Sequence, residues 1–386
     1  MKILTHSNSP YTFTGYAQQL RYFIPRLQQA GHQVAVCANF GLSGATLNWN
    51  GVAIYPLREQ RQNMDVVGHY VQHFGADIVL SLYDVWALPA DMRQRYGVPW
   101  IAMVPVDGAP LSAATGERLQ TADYIVAYSQ FGKRTIEAAG FVCDYIPHGI
   151  DTHQTYTPGD KRQAREVLGI PQDRYLVTVV AANKGYPARK GWPELLAGFA
   201  QFYKAHNDAL LYCHTTKHPY GSGGEGIYFD PLRDVLGIPR SALAFPDQGM
   251  LAVGVPDTEI ASVYRASDVL LLPSMGEGFG LPVIEAQACG CPVITQAASS
   301  TEELTVNGVL IEPLQAMWLP QLGYFWQLPS IERIAGALED VYAWTDEERQ
   351  AQADAGRAFV VEEYEYDVIW ERYWVPFLNT VEETLW

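Results

Sequence analysis

The stretch Val269–Ile294, VLLLPSMGEGFGLPVIEAQACGCPVI, decides how this chain is read. It opens on a short apolar run of strand-like composition that Pro273 and Ser274 end, so the chain leaves the edge of a buried parallel sheet there. Gly276, Gly278 and Gly280 then bracket Glu277 and Phe279, which lets the backbone turn sharply and bring its amides close to something bound. Pro282 suits the first turn of a helix that Val283 to Cys289 continue, Gly290 suits its end, and Pro292 prevents continuation. A loop of this kind delivers a helix N-terminus, whose unpaired N–H groups and positive dipole end favour a phosphate or an array of sugar hydroxyls. Glu277 on the loop and Glu285 about one turn into the helix place two carboxylates at different heights of one crevice.

Working outward, the 386 residues exceed the usual size of one hydrophobic core, so two domains are expected. The formal net charge of -16 argues against a dedicated binder of nucleic acid or of an anionic membrane. Cys37, Cys143, Cys213, Cys289 and Cys291 are odd in number and scattered, which fits a reducing cytoplasm better than a disulfide scaffold, and Cys289 and Cys291, flanking a helix-ending glycine, read as packed thiols. The apolar run at the N-terminus is too short for a signal peptide, and no stretch is long enough to span a bilayer. There is no H-E-x-x-H and no D-x-D, so no metal is called for.

From the N-terminus, Met1–Thr5, Gln33–Ala38, Ile78–Leu82, Trp100–Val104 and Tyr124–Tyr128 are short apolar runs with polar or turn-rich exits, an alternating β/α pattern. In such sheets the ligand crevice lies beyond the carboxyl ends of the strands, which puts the loop around Thr14 and Gly15 in a functional position. Asp107 stands at such a strand end, where a carboxylate either caps the turn or meets a ligand. The interdomain linker is expected within the polar stretch Thr152–Arg174, and Tyr175–Ala182 reads as the first strand of a second domain. Beyond it Lys184, Arg189 and Lys190 crowd before a helix starting near Trp192, a composition suited to a diphosphate cradle or to a solvated basic loop. From about Arg333 the tail reads as helical.

The whole 26-residue stretch resembles the signature of family 4 glycosyltransferases, whose E-x7-E motif matches Glu277 and Glu285 with GEGFGLP and EAQACG around them. The resemblance implies an α/β protein of the GT-B fold, two doubly wound Rossmann-like domains facing a central cleft. It divides the chain into an acceptor-side domain over 1–155, a nucleotide-sugar-binding domain over 156–365, and a helix over 366–386 that crosses back to the first domain. It implies retaining transfer of a hexose-type sugar from a UDP- or GDP-sugar to a hydroxyl on a glycan, lipid or small molecule, without a cofactor or metal. Lys190-Gly191 matches the family's Lys-Gly, whose lysine binds the donor diphosphate. The family's arginine lies five positions earlier, where this chain has Gly185, so Arg189 or Lys184 takes that role. Glu285 then holds the donor ribose, and Glu277 with the backbone of Phe279, Gly280 and Leu281 orients the donor sugar. Gly15 falls near the donor phosphates, where the family often has two glycines, and Asp107 is the acceptor-side candidate. His148, in YIPHGID, either lines the cleft or is a structural histidine. Transfer to a modified base in DNA and non-catalytic binding of a nucleotide sugar are the alternatives.

Overall fold

Eight short segments, most of them apolar, build the first sheet: β1 Lys2–Ser7, β2 Gln33–Ala38, β3 Leu47–Trp49, β4 Val52–Tyr55, β5 Ile78–Leu82, β6 Trp100–Val104, β7 Tyr124–Ala127 and β8 Asp144–Tyr145. Their order is β3-β4-β2-β1-β5-β6-β7-β8, parallel except for β3, which pairs antiparallel with β4. A parallel sheet covered on both faces selects continuous apolar strands, and β5 and β6 are buried at every position. The second sheet runs β9 Tyr175–Val180, β10 Ala209–His214, β11 Leu243–Ala244, β12 Val269–Leu272, β13 Val293–Gln296 and β14 Gly308–Ile311, all parallel in the order β11-β10-β9-β12-β13-β14. Each of the three fully buried leucines of β12 contributes about 1.5–3 kcal/mol. A two-stranded sheet, β15 Gln315–Leu319 and β16 Tyr324–Leu328, follows.

The computed structural model describes residues 1–58, 63–219 and 225–385. They form two units, the first Met1–Ile150 with Leu319–Tyr324 and Tyr366–Trp386, the second Asp151–Trp318 with Phe325–Glu365. In the first unit the aromatic tail packs on the helix Gly15–Gln29. Tyr366 stacks on Tyr22 at 4.9 Å, Trp374 meets Phe23 at 5.2 Å, and the Arg26 guanidinium lies 4.7 Å from the Tyr366 ring.

The polar stretch Thr152–Arg174 lies in the second unit, which begins at Asp151. The Asp151 carboxylate accepts the N–H groups of His153, Gln154 and Thr155, and Asp160 caps the helix Lys161–Leu168. Arg165 on that helix is only 4% exposed. Its guanidinium donates to the carbonyls of Ala266 and Gln172 and to Asp268 Oδ2 at 2.7 Å, while Asp268 also accepts the Leu176 N–H. A fully paired charge turns inward here, which composition does not register.

Among the described residues no helix is long and apolar enough to cross a membrane. The five cysteines are free and buried, and burial pushes Cys37, Cys143 and Cys289 up to about 12, so they are packing groups rather than nucleophiles.

Candidate functional site

Two loops that lie almost ninety positions apart in sequence leave adjacent strands of the second unit. β9 and β12 pair in parallel, with Val269 opposite Val177, so the segments 181–191 and 273–280 emerge side by side from one sheet edge. The Met275 N–H donates to the Arg189 carbonyl at 2.8 Å. Gly191 sits at φ +66°, and a Cβ there would stand 2.8 Å from the Pro273 carbonyl oxygen, so glycine permits this approach. It is also the residue before the helix Trp192–Tyr203, whose first side chain is fully buried and donates from its indole to Ala182.

The approach brings Lys190 and Arg189 onto Glu277. Lys190 Nζ donates to Glu277 Oε1, and one Arg189 nitrogen donates to Glu277 Oε2 at 3.1 Å and to the Gly276 carbonyl. Glu277 is only 5% exposed. Burial opposes its charge, but the neighbouring Lys190 and Arg189 cations outweigh that and hold the carboxyl down at about 2. Burial together with Arg189 and Lys184 brings the Lys190 ammonium down to about 8, against the pull of Glu277. Lys184 is exposed and forms no salt bridge among the described residues. Lys190 and Arg189 therefore share the Glu277 carboxylate, and Lys184 adds positive potential at Lys190.

The glycine loop is clamped from the next strand exit. Ser299 Oγ accepts the Glu277 N–H at 2.7 Å, and Ser300 Oγ donates to the carbonyls of Glu277 and Phe279. Ser299 holds a positive φ of 53° to do this. Gly280, at φ +105°, turns the chain into the helix Leu281–Ala288, and the Phe279 ring packs edge-on against Tyr364. The two motif carboxylates have different partners: Glu285, also buried, accepts the Tyr264 hydroxyl at 2.8 Å.

Sequence reasoning missed three contributors. Ser299 and Ser300 are ordinary polar residues until β13 is placed beside β12. Asn183 is buried; its amide donates to the carbonyls of Thr216 and Ile227 and accepts the Ile227 N–H, which ties the segment after β10 to the cation loop. Its place at a strand exit, just before Lys184, is the available signal.

In the first unit, Asp107 follows β6 and lines a pocket together with Asp84, a carboxylate that sequence reasoning passed over after β5. Gly15 is the exposed first residue of the helix Gly15–Gln29, whose N-cap Thr14 accepts the Ala17 N–H. His148 is buried with its ring 4.2 Å from that of Tyr128, among Gln19, Phe23, Met103 and Trp374. Burial lowers its imidazole to about 3, so it is neutral and packed, which favours the structural side of its two readings. The described residues hold no group of three or more side chains suited to a metal.

Solved structures share this architecture. The chain aligns over its full length with 99% of the sucrose-phosphate synthase from Thermosynechococcus elongatus, at a TM-score of 0.74 and 18% identity. Over 99% of its length it matches the whole of Anabaena HepE in complex with UDP-glucose, at 0.73 and 16%. The fold is thus GT-B, the two-unit α/β architecture of nucleotide-sugar glycosyltransferases. Within that class, residues 241–358, which carry the whole Val269–Ile294 stretch, match the family of glycosyl transferases group 1. It is 34% identical over 285 residues to the D-inositol 3-phosphate glycosyltransferase of Geodermatophilus obscurus, covering 66% of this chain and 58% of that one. The like-named protein of Segniliparus rotundus is 33% identical over 181 residues, 46% of this chain and 36% of that one. The chain thus spans between about a third and three fifths of these curated relatives.

Proposed function

We propose that this chain is a retaining glycosyltransferase that moves a hexose-type sugar from a nucleoside diphosphate sugar to an acceptor hydroxyl. The observation that carries the reading is the pairing of Arg189 and Lys190 with Glu277 on the loop that starts the helix Leu281–Ala288, with Lys184 adding positive potential at Lys190. Departure of the diphosphate concentrates negative charge on one phosphate, and preorganised cations at a helix N-terminus stabilise that charge more than the ground state. Lys190 takes the leading part, with Arg189 or Lys184 beside it. These cations neutralise the diphosphate without a metal.

Glu285 accepts the ribose hydroxyls; Tyr264 fixes its orientation through Oε2, and a carboxylate has acceptor capacity for more than one donor. Glu277, ionised at neutral pH, orients the donor sugar with the backbone of Phe279, Gly280 and Leu281. The bond from the anomeric carbon to the diphosphate breaks as the bond to the acceptor oxygen forms on the same face, and the departing phosphate oxygen takes the acceptor proton. Asp107 acts on the acceptor side. UDP-glucose is the first donor to test, since a structural neighbour was crystallised with it, and GDP-sugars are second. The acceptor hydroxyl belongs to a glycan, a lipid or a small molecule, and the relatives' name adds inositol phosphate as a probe. The buried free thiols support a reducing, cytoplasmic setting.

The test is a thermal-shift panel with UDP, GDP, ADP and CMP on the wild type and on Glu285→Ala. A nucleotide at 100 times its Kd adds about 2.7 kcal/mol of stability. The expected result is a shift with one nucleoside diphosphate that is lost in the variant; no shift with any nucleotide, or the same shift in both proteins, overturns the reading.

A further inference from the structure

The reading above leaves the acceptor open and, resting on it, we infer that the carboxyl edge of the first unit is built for an uncharged glycan and against a phosphorylated acceptor. β5 and β6 are adjacent parallel strands, and the loops leaving them carry Asp84 and Asp107 into one shallow, open pocket. Trp86, Leu111, Ser112 and Tyr324 complete its walls. Carboxylates accept sugar hydroxyls well, and an exposed indole, here 51% exposed, offers an apolar face to the C–H side of a sugar ring. Two carboxylates in one pocket repel a phosphate bound there, and both gain from a hydroxyl.

An independent observation lies one and two strands further along the same edge. Ser9 follows β1 and Asn39 follows β2; Ser9 Oγ and both amide atoms of Asn39 are buried without a hydrogen-bond partner among the described residues. Buried polar groups of this kind call for a ligand or a bound solvent molecule. Phe13 and Phe40, each about half exposed, lie on the same two loops. Because the strand order is β2-β1-β5-β6, these features form a row across four successive strand ends, about 14 Å at normal strand spacing. A row of polar acceptors and donors walled by aromatic rings matches a chain of neutral sugars. The segments 8–14, 39–44, 83–90 and 105–112 carry no Lys or Arg of their own; of the arginines that reach these loops, Arg21 is engaged by the Pro10 and Thr12 carbonyls, and Arg118 by the Leu88 carbonyl and Glu117. The substrate named for the curated relatives bears a phosphate, so this chain departs from them at the acceptor.

The test measures sugar transfer from UDP-glucose, or from the donor whose nucleotide gave the thermal shift, to neutral mono- to trisaccharides and, in parallel, to glucose 6-phosphate and inositol phosphate. At least one neutral saccharide is expected to accept with kcat/KM tenfold or more above any phosphorylated acceptor. Trp86→Ala raises KM for that saccharide about tenfold while the nucleotide-induced thermal shift persists, and Asp84→Asn with Asp107→Asn narrows the gap between neutral and phosphorylated acceptors. A phosphorylated acceptor that equals or exceeds every neutral one overturns the inference, as does a panel in which no neutral saccharide is used. If the thermal shift with nucleotide is intact in that case, the donor reading stands and only the acceptor inference falls; if the shift is absent too, the reading of the cation cluster falls first.

Discussion

Replacing Glu277 by glutamine removes the carboxylate that Lys190 and Arg189 share and leaves the shape of the side chain intact. The carboxyl is held at about 2 against an ordinary value of 4.5, and the group is almost fully buried. That displacement corresponds to about 3 kcal/mol of stability, at the low end of the 3–5 kcal/mol typical for stripping one partner from a buried ion pair. Since the folded-state value is depressed, the stabilisation is fully present above pH 4.5 and is lost as the pH falls towards 2. For a unit of about 200 residues the expected loss at pH 7 is roughly 6–12 °C in Tm. Glu277→Gln should therefore melt well below the wild type at pH 7, and the gap should shrink as the pH is lowered through 4. UDP should raise the Tm of the variant more than that of the wild type, because the diphosphate takes the place of the missing counter-charge between Lys190 and Arg189. Differential scanning calorimetry with and without UDP reads all three. A variant within about 2 °C of the wild type at pH 7, or one that UDP stabilises less, would refute the electrostatic account of this loop.

Two further outcomes follow from the same structure. Lys190 loses its proton near pH 8 in the free protein, so UDP affinity measured by titration calorimetry should be level below about pH 7 and fall as the pH rises past 8, approaching tenfold per unit; Lys190→Met should bind weakly with no such pH dependence. Asp268→Ala strips Arg165 and the Leu176 N–H of their shared partner, and should cost about 3–5 kcal/mol by urea denaturation while leaving the Kd for UDP within twofold.

Much of the architecture was legible because a covered parallel sheet demands continuous apolar strands, and runs such as Trp100–Val104 and Gln33–Ala38 appear as strands with the expected bounds. The helix Leu281–Ala288 was equally readable, since Gly280, Pro282 and Gly290 carry its start and stop in their backbone chemistry. Short elements were not: β3 spans three residues and β8 two, too few for a periodicity to show. The packing of Thr152–Arg174 was not legible because Arg165 hides its charge in bonds to residues about a hundred positions away.

By itself, then, the sequence determined the α/β class, the order of the elements and the residue types that a diphosphate site needs, because those depend on local periodicity and backbone restriction. Only the tertiary structure decided that Lys190 and Arg189 lie on Glu277, that Ser299 and Ser300 clamp the loop, and that Asp84 shares a pocket with Asp107. Each of those contacts depends on which strands are neighbours, β9 beside β12, β12 beside β13 and β5 beside β6. Strand adjacency is a global outcome of packing, and no local pattern of residues encodes it.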